Sequence, residues 1–192
     1  MFEWLAVPDC LPRHEVDIVY VPAYGLVWNK SRLTAINTAC VKAAVCQAGK
    51  KSKVVFSCAY PILEDLEGNA RKSLAIASGL DENRIILFKD IGNSYEEVLK
   101  LLEIYGNLEA KNILIVAERF HLPRVISSLR LMKPDVQLYW LSISAPFEIA
   151  REPSVIKSVR MGFKILWILW NVLLYPLTPY FLKSAKPASS HR

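Results

Sequence analysis

Five short runs of branched and aromatic residues punctuate the chain: residues 16–21 (VDIVYV), 53–57 (KVVFS), 84–88 (RIILF), 112–117 (NILIVA) and 136–142 (VQLYWLS). Several are apolar at successive rather than alternate positions, which suits strands covered on both faces, as parallel strands are. Between them lie stretches with helical patterning at residues 31–48, 64–78, 94–105 and 122–132. In the last of these, Leu122, Val125, Ile126 and Leu129 fall at the i, i+3, i+4, i+7 spacing of a core-facing stripe. Gly49, Gly79 and Gly106 stand just past three of the helical stretches, where a left-handed C′ residue is expected. Strands joined through helices predict a parallel sheet of about five strands with right-handed crossovers, an open doubly wound α/β fold. Such sheets bind ligands at the carboxyl ends of their strands.

Length and composition agree. A chain of 192 residues, 53% hydrophobic and 22% charged, is folded rather than disordered and holds one domain with an appendage. The net charge of +6 is not spread over that domain. From Arg151 onward Arg151, Lys157, Arg160, Lys164, Lys183, Lys186 and Arg192 face only Glu152, so this tail supplies the whole excess. The body is close to neutral, which argues against a broad nucleic-acid face. Cys10, Cys40, Cys46 and Cys58 show no CxxC or Cys/His ligand spacing, so metal is not expected and free core thiols are. Residues 1–15 form an N-terminal segment without a basic n-region, so the body is expected on the cytoplasmic side. The α/β body spans 16–150, a basic linker and apolar helix 151–182, and a solvated tail 183–192.

The fourth predicted strand runs into Val116-Ala117-Glu118-Arg119-Phe120-His121-Leu122-Pro123-Arg124. Pro123 suits the first helical turn, where its missing N–H costs nothing. His121 and Arg124 then stand beside a helix N-terminus, where Arg124 can clamp a phosphate or carboxylate and His121 can hydrogen-bond or move a proton near neutral pH. After the third strand, Asn93 and Glu96 have capping-box spacing, which explains both as a helix start at the same sheet edge. The first strand ends in Pro22-Ala23-Tyr24-Gly25 and the second in Ser57-Cys58-Ala59. A phosphate cradle would carry several glycines there so that the backbone could approach a ligand. Only Gly25 is present, which weakens a nucleotide assignment and leaves the cofactor unknown. Cys58 is expected to be an unactivated strand-end thiol.

Residues 163–182 (FKILWILWNVLLYPLTPYFL) are long and apolar enough to engage a bilayer, although Pro176 and Pro179 break a helix in the second half. Trp167, Trp170, Tyr175 and Tyr180 favour the headgroup level, and Lys and Arg flank the stretch. A spanning or re-entrant anchor, an in-plane helix on anionic lipid, and a helix packed on the domain or on a second copy all fit; membrane lipid as partner is the expectation.

Asn93-Ser94-Tyr95-Glu96-Glu97, the following strand, and Phe120-His121-Leu122-Pro123-Arg124 resemble the paired signatures of the YdcF/SanA/ElyC-like proteins (domain of unknown function 218). That family's pattern is Asn-Thr-x-Glu-Asn, a strand, and aromatic-His-apolar-Pro-Arg. Ser94 stands for its Thr and Glu97 for its second Asn, the sites after the first two strands, where glycines are usual, read Pro22-Ala23-Tyr24-Gly25 and Cys58-Ala59, and Glu67 corresponds to a family acid. The resemblance spans about 17–142 and implies a Rossmann-like domain, a small-molecule site, frequent membrane attachment, and a tie to envelope or lipid-linked glycan biology. The resulting expectation is a small anionic ligand, nucleotide-like or a lipid-linked phosphate. His121 and Glu96 would be the catalytic pair, with Asn93, Ser94, Arg124, Tyr24 and Gly25 binding. The alternatives are a non-catalytic scaffold at the membrane that has lost the glycine-rich site, and a soluble oligomer joined through the Trp-rich helix.

Overall fold

The computed structural model describes residues 8–24, 26–27, 32–59, 64–91, 94–146, 150–151 and 169. Its sheet contains β1 (Ile18–Val21), β3 (Lys53–Ala59), β4 (Ile85–Ile91), β5 (Asn112–Glu118) and β6 (Gln137–Ile143), all parallel, in the order β4-β3-β1-β5-β6. Counting only these strands along the chain, the order is 3-2-1-4-5, which is the doubly wound, Rossmann-like arrangement. Two short strands, β2 (Leu26–Val27) and β7 (Ala150–Arg151), pair antiparallel beside it.

Continuous apolarity has the expected cause. All seven residues of β5 are buried, and alternate ones feed separate cores. Leu114 and Val116 pack with Ile36, Cys40, Val41 and Ala44 of α1 (Ala35–Gln47) and with Ala75 of α2 (Glu64–Ala77). Ile113, Ile115 and Ala117 join the opposite core with Val98 and Leu101 of α3 (Ser94–Asn107). The stripe Leu122, Val125, Ile126 and Leu129 of α4 (Leu122–Met132) completes that second core. Two helices therefore cover each face, and α4 has the predicted limits.

Other boundaries moved for identifiable reasons. Helix α1 begins at Ala35, because the Thr34 side chain accepts the Asn37 N–H and caps it. Of the three expected left-handed glycines, Gly79 alone holds, at φ 95°. At the end of α1 the cap residue Ala48 is extended, with φ −72° and ψ 113°. Helix α3 runs through Gly106 to Asn107, and Glu109 takes the left-handed turn at φ 51°.

The N-terminal segment is tied to the sheet. Cys10 exchanges two backbone hydrogen bonds with Trp140, each 2.9 Å, while the Trp140 indole donates to Pro8 O and Ser142 N to the Asp9 carboxylate. Residues 8–10 thereby cover the edge of β6, which would otherwise offer unpaired backbone groups. The cysteines described are all thiols, with Cys40 and Cys58 buried and Cys46 exposed.

Candidate functional site

In this strand order the chain departs in opposite directions from β1 and β5, so the crevice lies between their carboxyl ends. Tyr24 follows β1 and His121 follows β5. Their rings meet edge to face across that gap, with centroids 5.7 Å apart, and they are 1% and 3% exposed. Where a dinucleotide fold keeps open space and glycine, this chain has an aromatic plug.

The β5–α4 turn is built around Glu118. Its carboxylate accepts the Phe120 and His121 N–H groups at 3.0 Å each, and its own N–H donates to the Tyr24 hydroxyl at 2.7 Å. This bracing holds the His121 Nδ1 atom 3.3 Å from the same hydroxyl. On the other side of the imidazole, Arg124 Nη2 donates to His121 Nε2 at 2.8 Å. The three-residue spacing predicted from the sequence thus places guanidinium and imidazole in direct contact, with His121 buried and Arg124 half-buried. Burial raises the Tyr24 phenol well above its ordinary pKa, and the neighbouring Cys40 and Glu118 push the same way, so it remains a neutral hydroxyl.

Below this turn lies a buried polar knot. Glu67 and Arg71 of α2 are wholly buried and paired at 3.2 Å. Arg71 donates to the backbone oxygens of Val21, Pro22 and Ser57, tying the ends of β1 and β3 together. Glu67 Oε1 also accepts from Tyr24 N and from the Asn37 amide. The Arg71 guanidinium therefore holds strand ends, whereas Arg124 is half-buried and rests on His121.

Among the expected site residues, Tyr24, His121 and Arg124 converge. Asn93 and Gly25 lie outside the described residues, and Ser94 is described only as the first residue of α3. Glu96 is half-buried on the first turn of that helix. Its neighbour Glu97 is the buried acid, accepting the Ala23 N–H at 3.2 Å. Sequence reasoning passed over Glu97 and Arg71. The latter had one signal, an acid and a base four residues apart on the helix side that meets the sheet. Cys58 is buried against α2, where a β-carbon at Gly68 would come within 3.1 Å of its sulfur. Among the described residues no group of His, Cys, Asp and Glu is arranged to hold a metal ion.

No family model matches the chain, and no curated protein matches it. The apolar stretch 163–182 lies outside the described residues except for Leu169, and among the described residues no helix is long and apolar enough to cross a membrane.

Proposed function

We propose that this chain is a membrane-attached α/β domain that binds a small anionic ligand at the margin of the β1–β5 crevice, with Arg124 as the anion clamp and His121 as its hydrogen-bonding and proton-moving partner. The carrying observation is the 2.8 Å contact between these two side chains on a turn braced by Glu118. A guanidinium presents a planar fork of donors that suits phosphate. The Tyr24 plug favours a compact phosphate group at the rim over a nucleoside laid across the strand ends. A lipid-linked phosphate is such a group.

Support for the membrane half comes from sequence and topology together. Ala150–Arg151 pairs with Val27 and Leu26, two residues beyond Tyr24. Arg151, the first residue of the basic linker, thus pairs with a residue two positions beyond Tyr24. The resemblance to YdcF-like proteins at residues 93–97 and 120–124 supports a role in envelope or lipid-linked glycan biogenesis.

A second proposal, a scaffold without chemistry, draws on the internal satisfaction of the site: Tyr24, Glu67, Glu97, Glu118 and His121 are all buried and all hydrogen-bonded within the fold. Thermal unfolding of the full chain against inorganic phosphate, nucleoside monophosphates and a short-chain lipid phosphate separates the two. Ligand at about a hundred times Kd adds about 2.7 kcal/mol of stability. The binding proposal expects a rise in Tm that Arg124→Gln abolishes. No shift with any of the three, and co-purification of a stoichiometric partner, would establish the scaffold instead.

A further inference from the structure

The same contact constrains where the imidazole proton resides. A guanidinium only donates, so the nitrogen that meets Arg124 Nη2 must offer a lone pair. That nitrogen is Nε2, and the single proton of the neutral ring is then on Nδ1, directed at the Tyr24 hydroxyl 3.3 Å away. Doubly protonated imidazole would set one N–H against another. As long as Arg124 rests on it, His121 is held neutral with its outward nitrogen covered.

An oxyanion arriving at the rim competes for Arg124 with charge-assisted, two-pronged hydrogen bonds that a neutral imidazole cannot match. From these opposed demands we infer that His121 and Arg124 form a lock opened by the ligand. The anion draws the guanidinium away from Nε2, and the freed nitrogen takes a proton from water and donates it to the same anion. Binding and protonation are thereby coupled, and His121 enters any later chemistry as an acid, with Nε2–H facing the ligand. Balance is simple: one N–H bond forms at Nε2, the proton comes from solvent, and hydroxide is left to the buffer.

The groups around the ring permit this. Tyr24 faces it from the β1–β2 turn as a neutral hydroxyl that accepts from Nδ1 in both states. Glu118 lies beneath it at the end of β5, and its carboxylate favours the cationic ring. Arg119 in the same turn stacks over Phe120 at 5.2 Å, while Arg124 is neutralised by the anion it holds. More distant from the ring, Cys40 of α1 and Glu97 of α3 act on Tyr24.

This inference rests on the anion site proposed above, and sulfate tests both because it does not itself titrate near neutrality. Calorimetry of sulfate binding to the full chain, in two buffers of different ionisation enthalpy slightly above neutral pH, should show uptake of about one proton per sulfate. The dissociation constant should rise about tenfold per pH unit there. His121→Gln should bind sulfate with neither uptake nor pH dependence. Nitrogen NMR of the ligand-free chain should find the Nδ1–H form of His121, converting to the doubly protonated ring on adding sulfate. Binding without proton uptake, or a resting Nε2–H tautomer, overturns the lock while leaving the anion site standing. Failure of sulfate and phosphate to bind at all removes the site and the lock with it.

Discussion

Arg71 touches no ligand in any of these proposals, yet it joins the ends of β1 and β3 to α2. Arg71 has no exposed surface, stands 5.9 Å over the Phe56 ring, and spends its hydrogen bonds on three backbone oxygens and the Glu67 carboxylate. An isolated charge in such a place would be prohibitive, so each partner makes the other tolerable. Arg71→Ala should cost about 3–5 kcal/mol in urea unfolding, since it strands the Glu67 carboxylate as well as the three oxygens. Adding Glu67→Gln to that variant should return part of the loss, because an amide can remain buried with Tyr24 N and Asn37 as neighbours. Additive losses in the double variant would show that the two side chains act independently and that the knot is not a unit. Tyr24 depends on the same knot through its own N–H, so the plug and the imidazole above it inherit the rigidity of a buried ion pair.

At the level of elements, β5 and α4 were the most legible, the one an unbroken apolar run and the other a full core-facing stripe. Both faces of β5 and the stripe of α4 follow from the sequence almost residue for residue. Helix ends were harder, for a reason visible at the three glycines. A glycine permits a left-handed turn without requiring one, and only Gly79 adopts it, at φ 95° with nothing within 4 Å of an added β-carbon. Gly106 also has open space around it but lies within α3. The two should therefore respond oppositely to the same change. Gly79→Ala should destabilise by about 1 kcal/mol, the cost of a β-carbon in left-handed backbone, whereas Gly106→Ala should stabilise by about 0.5 kcal/mol through helix propensity. Equal signs in thermal unfolding would contradict the assigned helix ends. The β2–β7 pair was invisible for another reason: two-residue strands carry no period, and their partners are about 120 residues apart in the chain. In the site, the His121–Arg124 spacing was legible. Glu118 and Glu97 were not, since an acid that will be buried looks like any other until the fold supplies its N–H donors.

For the molecule as a whole, the carboxyl edge concentrates groups that are stable only while neutral, and this sets an alkaline limit. Tyr20, Tyr24 and Cys40 are fully buried. Burial is the main cause that lifts all three above their ordinary values; Glu97 adds to it for Tyr20, and Cys40 and Glu118 add to it for Tyr24. In the unfolded chain the thiol ionises at about pH 8.5 and the phenols at about pH 10. Above those values the unfolded state has released protons that the folded state retains, so it binds fewer, and stability falls as pH rises. Below them both states are protonated and these groups contribute no slope. The decline should set in at about pH 8.5–9 and steepen past about pH 10, each group contributing up to about 1.4 kcal/mol per pH unit. The Lys133–Asp135 pair lies on the surface, where solvent screening leaves such contacts little weight, so it adds nothing appreciable to the trend. Urea midpoints measured from about pH 7 to about pH 11 trace the curve, and Tyr20→Phe should flatten its upper part. That substitution leaves untouched the Tyr24 hydroxyl that Glu118 and His121 need, so a change in slope would report the titration itself. A profile flat to about pH 11 would mean that water reaches these hydroxyls and that the crevice between β1 and β5 is more open than an aromatic plug allows.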